Sequence, residues 1–293
     1  MSPPPATAAA PVARISRGTV GTHLVMALFV AYFLLPFWWL LVAATKDNDG
    51  LFGSEPLWFA DLHLVDNLRL LFTQDDGLYL RWMGNSALYA VTSGVGATAI
   101  AALAGYAFAK LRFPGRKALF ALLLGLIMVP ATALVLPTYL LMAEAGLVDS
   151  MWAVILPSLL NPFGVYLLRV YAHDSVPDEM LEAARIDGAG EFRVFRSVAL
   201  PAMRPALVTV LLFTMVASWN NFFLPLVMLS DQNLYPLTVG LRSWYLSATI
   251  GNGGPALFNV IVIGSLVAIV PLIAAFLLLQ RYWRGGLTIG ALR

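Results

Sequence analysis

The chain predicts an all-α, polytopic membrane protein with six transmembrane helices and a polar helical segment between the fourth and fifth. Three observations carry this. Apolar residues make up 60% of the 293 residues and charged residues only 12%, against about 25% charged in a soluble domain. Six runs contain no Asp, Glu, Lys, Arg or His and approach or exceed the roughly 20 residues that cross a bilayer core. The basic residues crowd onto alternate connections, as they do when one side of a membrane retains them.

In chain order, residues 1–18 are rich in Pro and Ala and are expected to form a disordered tail ahead of a transmembrane domain over 19–285. The first span is Leu24–Ala44. A cleaved signal would have an apolar core of only about 7–15 residues, so this run is expected to stay as a span. Lys46–Asn85 reads as a long polar loop with a short surface helix over Trp58–Leu71. The second span is Ser86–Ala109. Its Ala97, Ala101, Gly105 and Ala109 recur every four residues and form a small-residue stripe for close helix packing. Lys110–Lys117 is a tight basic turn. The third span, Ala118–Met142, holds Pro130 and Pro137 as expected kinks. After a short acidic loop, Ala143–Ser150, comes the fourth span, Met151–Leu168, with Pro157, Asn161 and Pro162 inside it.

The polar segment covers 175–201. Pro177 fits the first position of a helix, with Asp178 and Glu179 where the positive helix end favours acids. Gly188 offers a positive-φ stop and Gly190 opens a second short helix that is expected to end before Pro201. The fifth span is Pro205–Leu229 and the sixth Leu257–Leu279. Between them Ser230–Ala256 reads as a loop with a Gly-Asn-Gly-Gly-Pro hinge, and Gln280–Arg293 as a basic tail whose end, 286–293, lies outside the domain.

With both termini cytoplasmic, every basic residue falls on the cytoplasmic side except Lys46, Arg69, Arg81 and Arg242. That asymmetry sets the expected orientation and puts 175–201 in the cytoplasm.

Several classes are excluded or weakened. There is no Cys, so no disulfide scaffold and no cysteine nucleophile. His23, His63 and His173 are scattered and form no ligand pair. The net charge of +2 is too small to point to nucleic acid. Charge within the spans would mark a proton relay, an ion site or an intramembrane catalytic set, and none is expected. No Gly-x-x-x-x-Gly-Lys-Ser/Thr loop is present. Uphill transport by this chain would therefore draw its energy from a partner. A sodium-coupled carrier that works alone and coordinates its ion with carbonyls stays open.

The most polar intramembrane patch is Ser218-Trp219-Asn220-Asn221. Amides in hydrocarbon need hydrogen-bond partners. They serve either as glue between helices or as the lining of a passage that meets solute hydroxyls. Asn161 adds an amide, and Trp219, Tyr139 and Tyr166 offer rings that suit sugar faces.

The polar segment reads Glu182-Ala183-Ala184-Arg185-Ile186-Asp187-Gly188 and continues to Val198-Ala199-Leu200-Pro201. This spacing resembles the signature of ABC importer permeases, with Val198 in place of the usual Ile. The resemblance implies that the segment is a coupling helix seated in a cleft of a separate ATPase, with Glu182, Ala183, Ala184, Asp187, Gly188, Leu200 and Pro201 at the contact. Asn85-Ser86, Met128-Val129-Pro130, Pro137-Thr138-Tyr139, Trp219-Asn220-Asn221-Phe222, Pro225, Gln280-Arg281-Tyr282 and Arg284-Gly285-Gly286-Leu287-Thr288 resemble the carbohydrate branch, which includes the shorter maltose-transporter permease. Where that branch has an acid, this chain has Asn221.

The resemblance further implies a bacterial inner-membrane complex of this permease with a second permease, an ATPase dimer that binds ATP and magnesium, and an external binding protein that delivers a sugar. This chain itself is expected to hold no cofactor and to catalyse nothing. Glycerol-phosphate or peptide cargo remains an alternative within the class.

Overall fold

The structure is a computed structural model that describes residues 17–250 and 257–280. All regular elements among them are helical. Helix α1 is Arg17–Ala44, followed by α2 (Asn48–Gly53), α3 (Leu64–Thr73), α4 (Leu78–Lys110), α5 (Arg116–Ile127), α6 (Val135–Glu144), α7 (Met151–Ser158) and α8 (Pro162–Ser175). Then come α9 (Asp178–Ile186), α10 (Glu191–Val194), α11 (Leu200–Ala202), α12 (Arg204–Trp219), α13 (Phe223–Met228), α14 (Leu237–Thr249) and α15 (Phe258–Leu279).

The described residues hold four helices long and apolar enough to cross a membrane, or six when each of two sharply bent pairs counts as one span. The first bent pair corresponds to the third predicted span. It folds back by 101° between Arg116–Ile127 and Ala131–Glu144. Of the two prolines expected to kink it, Pro130 sits at the break, where it ends one helix and caps a 3-10 turn over Ala131–Leu134. Pro137 lies in the first turn of α6, where a missing N–H costs nothing, and it bends nothing.

Helix α4 is the axis of the chain. It packs along α8 on one side and α12 on the other, and small residues let both come close. A Cβ on Gly105 would lie 2.9 Å from the Arg169 backbone nitrogen, and one on Gly94 would meet the Met215 side chain. Ala97 and Ala101 are buried, so the predicted stripe serves packing within the chain.

Three apolar clusters lie along this axis. One, at the α9 end, gathers Tyr106, Leu168, Leu181, Phe195 and Met203. Another, near the start of α4, gathers Tyr79, Trp82, Trp219, Trp244 and Ile263. The third joins Tyr89 and Val154 to Met228. By contrast, α1 touches mainly α15, and Leu24, Phe29, Tyr32 and Phe33 stand exposed. An apolar face of that size belongs against lipid or another subunit.

Other boundaries differ from the sequence reading. Arg17 and Gly18 belong to α1, while residues 1–16, the Gly-Asn-Gly-Gly-Pro hinge and the tail after Gln280 lie outside the described residues. The loop expected over Lys46–Asn85 is mostly helical: it holds α2 and α3, and α4 starts eight residues early at Leu78. Its short helix is α3 rather than Trp58–Leu71, and it buries Asn67 and Leu71 instead of lying on the surface. Asn67 Nδ2 donates to the carbonyls of Ala44 and Lys46, and Asn67 Oδ1 accepts from Asn259 Nδ2 at 2.8 Å. These bonds explain why a polar residue is buried there.

The fourth span extends to Ser175. The fifth ends as a helix at Trp219 and restarts as α13. The loop expected over Ser230–Ala256 contains α14, which buries Leu237, Val239, Gly240 and Trp244. Charges therefore do occur in the long helices. Arg81, in the first turn of α4, donates to Asn233 Oδ1, and Arg169, in the middle of α8, lies 4.2 Å over the Phe120 ring.

Candidate functional site

The candidate site is the helical hairpin formed by α9 to α11. Val176 is buried, and Pro177 takes an extended conformation as the N-cap of α9, one residue before its expected place. Asp178 and Glu179 fill the first turn and Arg185 the last, each at the helix end that favours its charge. Gly188 has φ +80°; its N–H bonds the Arg185 carbonyl, and the Ala189 N–H bonds the Ala184 carbonyl, both at 3.0 Å. This is a Schellman stop, and glycine takes it because it carries no Cβ penalty.

From Gly190 the chain turns into α10. Helical structure continues through a π-turn over Phe195–Ala199 and through Pro201 to Ala202. The expected stop before Pro201 does not occur, because proline at the start of α11 needs no N–H partner. The end comes after Ala202, where the chain bends by 81° into α12.

Two ion pairs hold the hairpin. Arg185 Nε and Nη2 donate to the two Glu191 carboxylate oxygens at 2.7 and 3.2 Å across the Gly188 turn. Lys110 Nζ donates to Asp178 Oδ1 at 2.7 Å. The Lys110 ammonium holds the Asp178 carboxyl below the ordinary carboxylate range, and Arg185 does the same to Glu191.

Leu181 is buried and Ala184 half-buried against the cluster beneath. Glu182, Ala183, Asp187, Gly188 and Pro201 are exposed, and Leu200 is half-buried. The two alanines thus split: Ala184 packs on the chain's own core and Ala183 faces out. Three apolar side chains to which the sequence assigned no role are exposed on the hairpin: Met180 and Ile186, the latter 86% exposed, on α9, and Phe192, 71% exposed, on α10. The signal for the first two was an apolar residue in a short polar helix whose inward face is already filled by Leu181.

The predicted solute patch is not one surface. Trp219 is 7% exposed and sits in the aromatic cluster, so its ring serves packing instead of an open passage. Asn161 is spent twice: its Oδ1 caps the Gly164 N–H at 2.8 Å, and its Nδ2 donates to Thr214 Oγ1 at 2.9 Å. Tyr139 packs on the cluster around Met228. Tyr166 stacks on Phe120. Asn220 is exposed and caps its own helix through Nδ2 to the Val216 carbonyl. Ser218 and Asn221 are half-buried beside it. These three cluster at the break between α12 and α13. Among the described residues no group of His, Asp or Glu could hold a metal ion.

The described residues form an all-helical chain with helices apolar enough to cross a membrane and a salt-bridged hairpin beyond the fourth span, the architecture expected of a membrane transport subunit. Residues 94–284 match the family described as the binding-protein-dependent transport system inner membrane component. The chain is 37% identical over 229 residues to the arabinooligosaccharides transport system permease protein AraQ of Halalkalibacterium halodurans, covering 78% of this chain and 79% of that one. The protein of the same name from Bacillus subtilis is 32% identical, with 89% and 91% covered. The sn-glycerol-3-phosphate transport system permease protein UgpE of Yersinia enterocolitica is 29% identical, with 90% and 94% covered. In fold, the chain is similar to a chain of a bacterial ABC transporter involved in the import of the acidic polysaccharide alginate, at TM-score 0.77 and 23% identity, with 92% and 98% covered. This chain belongs to the family of binding-protein-dependent transport system inner membrane components.

Proposed function

We propose that this chain is the permease subunit of an ATP-driven importer that carries a sugar delivered by an external binding protein. ATP hydrolysis then belongs to a separate ATPase dimer, and a second permease completes the pathway. The observation that carries the reading is the hairpin. It is a helix with a filled inner face and an outer face of Glu182, Ala183, Ile186 and Asp187 that stands exposed among the described residues. Such a face fits a cleft on a partner. The distribution of basic residues supports a cytoplasmic position for it, with both termini on the same side.

Sugar cargo is supported by the names of the more similar relatives and by the neutral amide and hydroxyl groups at the α12–α13 break. Neutral donors and acceptors suit hydroxyl-rich solutes better than anions. The test is copurification of the tagged chain with its partners. It is followed by thermal-shift measurement on the binding protein with arabino-oligosaccharides, other sugars and sn-glycerol-3-phosphate. A shift with a sugar supports the reading; a shift with sn-glycerol-3-phosphate alone contradicts the cargo, and the absence of any ATPase in the purified complex contradicts the class.

A further inference from the structure

Lys110 is the last residue of α4, and its side chain is 7% exposed. From that burial its ammonium reaches two other elements. It donates to Asp178 Oδ1 at 2.7 Å, on the first residue of α9, and to the His173 carbonyl at 3.4 Å, in the last turn of α8. A cation at the carbonyl end of α8 and an acid at the amide end of α9 each stand where the helix dipole favours them. Only Val176 and Pro177 separate those helices, so three elements meet at one ammonium.

The other contacts that seat α9 on the body, through Leu181 and Ala184, are apolar. Apolar contact resists separation but has no direction, so it lets a helix slide or roll. A charge-assisted hydrogen bond adds geometry. The Arg185–Glu191 pair cannot supply that link, because both residues lie within the hairpin.

We propose that Lys110 is a positioning residue that passes displacement of α9 to α4 and α8, locking the start of the hairpin to the helix on which the rest of the chain packs. This rests on the reading of α9 as the ATPase-facing helix. With the pair broken, the hairpin keeps its shape and its partner, and ATP hydrolysis continues. What falls is the amount of solute moved per ATP, because α9 moves without taking α4 along.

The test uses the complete transporter in proteoliposomes, with ATP hydrolysis and uptake of a labelled arabino-oligosaccharide measured in the same vesicles. Lys110→Ala and Asp178→Ala are expected to lower uptake per ATP by about fivefold, the scale of a partly exposed ion pair, with copurification of the ATPase unchanged. Lys110→Arg, which keeps the cation, is expected to hold most of the ratio, which a loss of fold would not allow. A wild-type ratio in both alanine variants overturns the proposal, as does a Lys110→Arg ratio as low as that of Lys110→Ala. Loss of the ATPase on purification also overturns it, since the pair would then be assembly glue. Gly188→Val separates the two layers. If it transports normally, the ATPase-facing reading itself fails; if it is defective while Lys110→Ala is normal, only the role of Lys110 fails.

Discussion

Gly188 is the residue on which the hairpin turns, and the reason is backbone alone. A Cβ there meets no atom within 4 Å, yet φ is +80°. The expected effect of substitution therefore follows conformational preference and not size. Asn tolerates the left-handed region and β-branched residues do not. Gly188→Asn should keep near-normal ATP-dependent uptake, and Gly188→Val should lose most of it while still inserting in the membrane. Equal defects in the two variants would show that space, not conformation, is limiting. The glycine stop was legible in the sequence from its spacing to Pro177. The Lys110–Asp178 pair was not, since the two residues stand far apart in the chain and only the fold brings them together.

Asp149 takes the left-handed region without being glycine, with φ +60°. Its Oδ1 accepts from the backbone N–H groups of Asp231 and Ser230, and those bonds hold its carboxyl below the ordinary range. A carboxyl whose value is depressed on folding contributes stability above its unfolded value and loses it as the pH falls through the folded one. Melting of the detergent-solubilised protein should thus show no contribution from Asp149 to pH dependence between about pH 5 and 8. Asp149→Ala should cost about 1 kcal/mol more than Asp149→Asn, which keeps both an acceptor and tolerance of positive φ. Thermal denaturation of the two variants checks this, and equal melting temperatures would contradict it.

At the scale of elements, the helices α4, α12 and α15 were legible because their apolar runs are long. The ones missed are short or amphipathic. Helix α14 lies where turn residues and polar side chains dominate, and it is held by its Trp244, which packs on Tyr79 and Trp82 of α4. A Cβ on Gly240 would fall 2.1 Å from the Trp82 ring, whose Nε1 is tied to the Gln232 carbonyl at 2.8 Å. Gly240→Ala is therefore expected to destabilise by roughly 1–3 kcal/mol through overpacking. Gly84, in α4, has nothing within 4 Å of the same position. Gly84→Ala should be neutral or stabilising by up to about 1 kcal/mol through helix propensity. Denaturation of both in the same detergent reads the difference, and a milder effect at Gly240 than at Gly84 would contradict the packing described here. The residues of the expected solute patch are spread over several elements at this same scale. Sequence placed Ser218, Trp219, Asn220 and Asn221 in one polar stretch and added Asn161 from the fourth span, whereas the structure spends Trp219 on packing and Asn161 on capping. Only Ser218, Asn220 and Asn221 stay together at the break.

At the scale of the whole molecule, the hairpin and the α12–α13 break are two places where a membrane chain departs from plain apolar helices. Helix α4 connects the aromatic cluster at one of its ends to Lys110 and the hairpin at the other. On the proposal made above, motion of the hairpin would reach the α12–α13 break through α4 and its neighbour α12. Because the chain lacks cysteine, a single Cys at 188 or 61 reports orientation directly. Labelling from outside intact cells should reach position 61 and not 188. The most direct measurement of the central claim is uptake by proteoliposomes that contain this chain, its partner permease and the ATPase, with the binding protein and a labelled arabino-oligosaccharide outside and ATP trapped inside. Accumulation that requires both ATP and the binding protein, and that Gly188→Val abolishes, is the predicted result. Accumulation by this chain alone, without ATPase or binding protein, would make it a stand-alone carrier and contradict the account.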